Sequence, residues 1–413
     1  MTGSLDTTIK TNISNTSPIN DSQSNQYVGV TNDLNTQSFY GSSESSLESG
    51  LIPDNILTPS KNANPLMTSS AIFADFNGDG KNDKLWYNTQ TGETALWLMD
   101  GSNILAEASL KTLVPGATLN IADFNADNKT DLLIHNSQTG ESTIWVMDGT
   151  TIVSEAPLTP LTGGWSPTLV DFNGDSKTDI FWRNTQTGEN KAWLMDGTSV
   201  ISEAALETFD TNWTAKAGFF NGDTNTDILW RNNTTGENII WSMNGTTASA
   251  SVAPTLGTEW EIASFGDFNF GLQTFETDIV WRNTATGENK VWLFDDGNVV
   301  TDAALPTLAG SGWKSLIGDF DGNGNTDIFW YNEETGENKV WTMDGATVTS
   351  DVSLQTQSPG AAWKASISDV NGDGKSDIFW RNYQTGENKV WTMDGTTYSE
   401  SPVATRSPEW YTA

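Results

Sequence analysis

The sequence predicts an all-β fold: a seven-bladed β-propeller of four-stranded antiparallel blades behind a disordered N-terminal tail. Three observations predict it. An Asp-Phe-Asn-Gly-Asp stretch at Asp75 returns, whole or altered, at Asp123, Asp171, Phe219, Asp267, Asp319 and Asp369, with spacings of 48 residues four times, then 52 and 50. Each unit holds four short runs rich in aromatic and β-branched residues, divided by Gly- and Asp-containing turns. All 19 tryptophans fall on recurring places in those runs. Four strands in a unit of this length is the size of a propeller blade, and closing seven blades in a ring removes the edges of an open array. Helical repeats would show a 3.6-residue apolar period, which is absent.

Residues 1–66 are rich in Ser, Thr, Asn, Gln and Asp and contain no Trp. Such a stretch cannot bury enough apolar surface to offset chain entropy, so it reads as a disordered tail or linker, with residues 67–413 as the propeller. A short piece such as Leu51-Ile52-Pro53 is suited to docking on the folded part. In the third unit the strands are read as Trp165 to Phe172, Asp179 to Asn184, Asn190 to Met195 and Ser199 to Leu206. Thr187-Gly188 joins the second and third strands, and Asp196-Gly197 the third and fourth; both are hairpin signals.

Six tryptophans open first strands (Trp165, Trp213, Trp260, Trp313, Trp363, Trp410), six end second strands and seven occupy third strands. A large aromatic at a fixed strand position is what packing of blade on blade requires, although aromatic faces also stack on sugar rings. Trp410 opens an eighth first strand that runs out at Ala413, where blades one and two have Ser69 and Ala117. The Glu409 to Thr412 stretch is therefore expected to lie beside blade one and latch the ring. Asn184, Thr187, Gly188 and Glu189 have counterparts in every unit and read as turn formers. Arg183, Glu189 and Lys191 read as a cross-strand charge set, a mixed ring that could also bind a ligand.

Composition narrows the chemistry. Asp and Glu number 53 against 20 Lys and Arg, a formal net charge of −33, which argues against nucleic acid and anionic membranes as partners. There is no cysteine, so disulfides and thiolate-bound metals are excluded. The single histidine, His135, cannot build a histidine metal cluster and reads as a substituted surface residue where other units carry Arg or Tyr. No apolar run approaches the length of a membrane span, and Met1 to Asn12 shows no signal-peptide core.

The chemistry-bearing segment is the loop between first and second strands. In unit one it reads Asp75-Phe76-Asn77-Gly78-Asp79-Gly80-Lys81-Asn82-Asp83. Oxygen side chains stand at positions 1, 3, 5 and 9, with the position 7 carbonyl, that of Lys81, free to join them. Alternating oxygens on a curled loop suit Ca²⁺, which takes about six to eight oxygen ligands at ~2.3–2.6 Å, better than Mg²⁺. It is not an EF-hand, because Trp86 stands where a bidentate Glu would be and the flanks are strands. Four more loops keep the spacing: Asp123, Asn125, Asp127, Lys129 and Asp131; Asp171, Asn173, Asp175, Lys177 and Asp179; Asp319, Asp321, Asn323, Asn325 and Asp327; Asp369, Asn371, Asp373, Lys375 and Asp377. Unit four has Phe219 at position 1, and unit five has Gly271 at position 5 with extra residues before Asp278. The expectation is thus about five calcium sites that support the fold. Asp, Asn and Gly also favour plain β-turns, and it is the fivefold spacing that favours a metal.

On these loops and repeats the chain resembles the FG-GAP, or VCBS, repeat family, which includes integrin α-subunit heads and fungal and bacterial propeller lectins. The resemblance spans residues 67–413 and implies a seven-bladed propeller with structural Ca²⁺ in the loops and ligands on the ring face or between blades. It implies a binding module for carbohydrate or a cell-surface glycoprotein. A protein scaffold of integrin-head type is the alternative, and a polysaccharide lyase or dehydratase the least favoured reading. The module is expected to be monomeric and extracellular or at the cell surface, exported without a leader, since calcium modules of this kind have Kd near ~10⁻⁴–10⁻³ M.

Overall fold

Each repeat folds as one antiparallel four-stranded sheet, and seven such sheets form the propeller. The computed structural model describes residues 74–269, 276–358 and 362–412. The expected tail 1–66, its boundary at 67, Leu51-Ile52-Pro53, Ser69 and Gly271 lie outside the described residues.

Blade three shows the pattern, with strands Trp165–Val170, Asp179–Asn184, Asn190–Asp196 and Ser199–Leu206 side by side in chain order. First strands of successive blades adjoin one another, as Trp313–Gly318 does with Trp260–Gly266 and Trp363–Ser368, so they form the inner edge. Fourth strands are mostly exposed and form the outer rim.

The core lies between blades. Leu133 and Ile144 of blade two pack with Trp182 and Trp193 of blade three, and Val170 and Phe181 of blade three with Trp230 and Trp241 of blade four. Phe379 and Val390 of blade seven pack in the same way with Trp86 and Trp97 of blade one, so the last junction is built like the others. Within a blade the second-strand indole meets the third-strand indole edge to face, with ring centres 5.4 Å apart for Trp182 and Trp193, a geometry that adds about 0.5–1.5 kcal/mol beyond area burial.

Ring closure is the latch foreseen from Trp410. The strand Trp410–Thr412 pairs antiparallel with Lys84–Asn88 of blade one, in the register Asn88 with Trp410, Tyr87 with Tyr411 and Trp86 with Thr412. Blade one is thereby completed by the far end of the chain, so opening the ring must also break this sheet.

Every blade has two ends. The oxygen-rich loop and the hairpin between third and fourth strands, Asp-Gly except for Asn244-Gly245 in blade four, lie at one, the Asn-x-x-Thr-Gly-Glu hairpin and the crossing to the next blade at the other. In the latter hairpin Asn184 Oδ1 accepts the N–H groups of Gln186 and Thr187 at 2.9 and 3.0 Å. Gly188 has φ +78°, and a Cβ there would stand 1.9 Å from the Phe209 carbonyl oxygen, so both backbone sign and space demand glycine.

Candidate metal centres

Position 1 organises each intact loop by collecting backbone donors. Asp75 Oδ1 accepts the N–H of Gly78 at 2.7 Å, and Oδ2 that of Gly80 at 2.7 Å. Asn77 Oδ1 accepts Asp79 N–H at 3.0 Å, and Asp79 Oδ1 accepts Lys81 N–H at 2.9 Å. The alternate side chains are thus curled to one side with oxygen lone pairs to spare. Loops two and three hold the same curl against local preference. Ala126, Asn128 and Ser176 sit at φ 58°, 63° and 67°, the left-handed region glycine occupies in loop one. In loop four Phe219 supplies no carboxylate, and the backbone at Thr224 does not enter that region.

In loop six, Asp319, Asp321 and Asp327 each bring a carboxylate oxygen to within 4.8 Å of the other two. Two ligands on opposite sides of a Ca²⁺ ion stand about 4.6–5.2 Å apart, so this triad fits inside one coordination sphere. The donors are all hard oxygens, and the residues present fit a calcium-type ion. Loops one, two, three and seven have Asn at position 3, which supplies an amide oxygen instead.

Burial makes these carboxyls costly to ionise without a cation. It pushes Asp83, Asp131, Asp179 and Asp377 up to about 7, against the pull of backbone N–H bonds, with the position 1 and 5 carboxylates raising them further. Asp327 is pushed up to about 8 for the same reason, with Asp321 and Asp319 as the acidic neighbours.

Position 9 also has a role that needs no metal. Asp83 Oδ2 accepts Phe76 N–H at 2.8 Å and Oδ1 accepts Met99 N–H at 2.9 Å, tying the loop to the third strand. Asp227 and Asp278 make the same two bonds in loops four and five. An Asp at position 9 in every blade is therefore explained by the fold, and positions 1 and 5 separate the intact loops from the altered ones. The position 7 lysines turn away from the loop interior: Lys81 and Lys177 reach Asp100 and Asp196 at 2.6 Å, Lys129 reaches Asp148 at 2.5 Å, and Lys375 pairs with Asp394.

A feature that spacing did not reveal is a belt of loop-to-loop bonds. The position 8 N–H of each loop donates to the position 1 carbonyl of the preceding blade: Thr130 to Asp75, Thr178 to Asp123, Thr226 to Asp171, Thr277 to Phe219, Thr326 to Asp267, Ser376 to Asp319 and Asn82 to Asp369. The circle is complete. The Asp-Gly hairpin adds to it, as Gly149 N–H donates to Phe76 O and Gly197 N–H to Phe124 O. The only sequence trace was a Thr, Ser or Asn always preceding the position 9 Asp.

At the opposite end, the expected charge set of Arg183, Glu189 and Lys191 is not formed. Arg183 donates to the carbonyls of Asp210 and Trp213 at 2.8 and 2.7 Å and stacks 4.6 Å over Trp230 of the next blade. Glu189 instead accepts the Thr187 hydroxyl, and Lys191 lies over Trp165. Arg231, Arg282 and Arg381 stack likewise on Trp281, Trp330 and Trp86. His135 is corrected from surface to core. It is 2 % exposed, with Nδ1 and Nε2 each 2.9 Å from Ser142 Oγ and Trp165 O, and it packs on Trp182. At the strand position of Arg183, also held by His135, Arg231, Arg282 and Arg381, the side chain is blade-to-blade packing because that position faces the next blade's tryptophan.

Tryptophans divide by strand. Those of the second and third strands are buried, as packing predicts, while Trp213, Trp260, Trp363 and Trp410 on first strands are half-buried. In blade seven, Lys389 lies 4.9 Å over Trp363 and pairs with Glu400 at 2.9 Å; in blade five, Lys290 lies 5.0 Å over Trp260 and pairs with Asp302 at 3.1 Å.

Fold and loops together define a propeller built of repeats with oxygen-lined loops at one end of every junction. A family model for FG-GAP-like repeats matches residues 123–182 and 319–380, and the chain carries FG-GAP-like repeats in a seven-bladed β-propeller. The fold is similar to that of an Agrocybe aegerita lectin described as recognising non-reducing terminal N-acetylglucosamine. That likeness has 14% identity and a TM-score of 0.64, covering 81% of this chain and 96% of the lectin. It is also similar to apo AztD from Citrobacter koseri, at 9% identity and TM-score 0.49, covering 80% of this chain and 97% of that one. No curated protein matches the chain in sequence. Among the described residues, no helix is long and apolar enough to cross a membrane.

Proposed function

We propose that the protein is a calcium-stabilised extracellular binding module whose ligand is carbohydrate. The observation behind the ligand class is the repeated pairing of a half-buried Trp with a Lys and a carboxylate, at Trp363, Lys389 and Glu400 and again at Trp260, Lys290 and Asp302. An apolar ring face beside fixed donors and acceptors is the equipment that holds a sugar ring by stacking and hydroxyl bonding. Several similar weak sites on one ring gain avidity on a repeated glycan. The lectin of related fold supports the reading.

Calcium would be held by positions 1, 3, 5 and 9 and the position 7 carbonyl of the five intact loops, Asp75 to Asp83, Asp123 to Asp131, Asp171 to Asp179, Asp319 to Asp327 and Asp369 to Asp377. Bound there it would neutralise the gathered carboxylates. The ordinary affinity of such modules requires the millimolar calcium of an exterior, which supports a location outside the cell. Recovery of the chain solely from the cytosolic fraction would remove that location. His135 has no part in this reading, since both its ring nitrogens are engaged inside the core.

A second reading, a protein-binding scaffold, is favoured by one observation. Leu105, Val153 and Ile201 stand 57–59% exposed at equivalent outer-strand positions of blades one to three. A glycan-array screen in millimolar calcium separates the two. Saturable sugar binding that weakens in Trp363→Ala supports the first. Silence across the array, with the fold intact by circular dichroism, defeats it and leaves the scaffold.

A further inference from the structure

We propose that the junction between blades seven and one holds a small monovalent anion of the halide type against Lys84, Ser366, Ser368 and Asn82. None of these side chains belongs to the oxygen sets of the loops, and no other junction combines them.

Six blades carry an aliphatic residue directly after the position 9 Asp: Leu132, Ile180, Ile228, Ile279, Ile328 and Ile378. Blade one carries Lys84 there. Lys84 is 4% exposed, and its Nζ lies 4.4 Å over the Phe379 ring of blade seven. Among the described residues its hydrogen-bond partner is Ser366 Oγ, at 3.2 Å across the junction. Burial lowers its pKa, and no carboxylate acts on it. Asp83, next in the chain, spends its two oxygens on the Phe76 and Met99 N–H groups. A buried ammonium with one hydroxyl partner lacks both acceptors and a counter-charge.

Two more groups at this junction are unsatisfied. Asn82 is 2% exposed and its Nδ2 has no partner; Ser368 is 0% exposed and its Oγ has none. Elsewhere position 8 is satisfied, as where Thr226 Oγ1 accepts Asp171 N–H at 2.9 Å and Thr326 Oγ1 accepts Asp267 N–H at 3.0 Å.

The blade register brings the four together. The residue before position 1 faces position 8 of the next blade: a Cβ on Gly266 would stand 2.6 Å from Thr326 Cγ2, and one on Gly318 2.5 Å from Ser376 Oγ. The equivalent pair at the last junction is Ser368 and Asn82. Alternate residues of a strand share a face, so Ser366 lies beside Ser368 and Lys84 beside Asn82. The Lys84 to Ser366 bond confirms that register. Same-face neighbours on a strand are about 6.5–7 Å apart, a span that one halide between them bridges. An ammonium, an amide N–H and two hydroxyls are all donors, and with a net positive charge they call for an anion. The junction is closely packed, which favours a monatomic ion over phosphate or sulfate.

The test is thermal melting of the full chain in saturating calcium, with sodium gluconate exchanged stepwise for sodium chloride. Ionic strength is held constant, so screening does not change. Gluconate is too bulky for the junction. The expected result is a saturating rise of about 2 °C at ten times the half-saturating chloride. Lys84→Ile installs the residue of blades three to seven and should lose the rise, with its fold checked by near-ultraviolet circular dichroism. Should that variant not fold, Ser368→Ala decides the matter, since blade two has Ala122 at that place. It should need at least fivefold more chloride for half-saturation. Crystals grown in bromide give the direct readout, an anomalous peak in contact with Lys84 Nζ. A chloride response that is absent, or equal in wild type and variants, overturns the site, as does a bromide crystal with only water at Nζ.

Discussion

The two ends of a blade junction solve one problem with opposite chemistry. At the hairpin end, Arg381 of blade seven donates to Trp410 O, Ser407 O and Gly386 O and stacks on Trp86 of blade one, so a positive group meets carbonyls and a π face. At the loop end, Asp369 accepts Gly372 and Gly374 N–H, and its own carbonyl receives Asn82 N–H across the same junction. The guanidinium end is complete in protein alone. The loop end gathers carboxylates whose burial opposes their charge, a cost that a proton or, as proposed, a bound cation would relieve. Since the loops also form the circular belt, a cation bound in one loop acts on two blades.

The largest expected effect is therefore that of removing calcium. A site at ten times its Kd adds roughly 1.4 kcal/mol, so five would add about 7 kcal/mol, a melting shift on the order of 10 °C or more between chelator and calcium. The effect should depend on pH with a definite sign. The position 9 carboxyls have folded pKa values of about 7, raised above an ordinary 3.8 by burial. A raised carboxyl stabilises the metal-free fold fully below the unfolded value and loses that contribution as pH climbs through the folded one. In chelator, stability should fall between about pH 4 and 7. In excess calcium, which needs the ionised form, it should not, and the two melting curves should converge near pH 4. Curves that run parallel over that range would place the buried charge elsewhere.

The next effect isolates the other end. Arg381 is 1% exposed, and Arg381→Ala leaves the Trp410 and Ser407 carbonyls without their donor while removing the stack on Trp86. Loss of charge-assisted bonds and a desolvated cation–π contact predicts about 3–5 kcal/mol of destabilisation, equal in calcium and in chelator. Denaturant unfolding in both media checks it. A cost that depends on calcium would mean the two ends are coupled through the blade rather than independent.

Much of this was legible in the sequence because it is periodic. Seven loop starts, paired hairpins and tryptophans at fixed strand places give blade count, strand count and core together, and Trp410 betrays the closing strand. What stayed hidden depends on which blade a side chain faces. Arg183 and Glu189 look like a cross-strand pair along one chain, but the alternation of strand faces sends Arg183 to the next blade. The same alternation buries His135. Position 9 looked like a ligand of equal standing, although its two backbone bonds hold even in loop four, where position 1 is lost.

A smaller effect tests a single loop. Asp175 is exposed at position 5 of loop three, and its Oδ1 accepts Lys177 N–H at 2.9 Å, a bond an amide oxygen can keep. Asp175→Asn should therefore cost about 1.4 kcal/mol in calcium, the share of one site, and no more than about 0.5 kcal/mol in chelator. The difference between the two media, by thermal melts, is the informative number. Equal costs in both would show that the loop is a turn and not a site.

The smallest expected effect belongs to Lys177, and its sign is what matters. The ammonium pairs with Asp196 at 2.6 Å, with the two side chains 29% and 59% exposed. A pair so open to solvent contributes little, so Lys177→Ala should scarcely move the melting temperature. Asp175 nevertheless helps hold this ammonium protonated, and the ammonium stands beside a loop expected to take a cation. Removing a positive charge there should tighten calcium at loop three, most clearly at low salt, where screening is weakest. The backbone carbonyl of residue 177 is untouched by the change, so a ligand supplied by the main chain survives it. Weaker calcium binding in Lys177→Ala would mean that the lysine holds the loop in shape, and that its pairing across the hairpin is a condition of the site rather than a bystander to it.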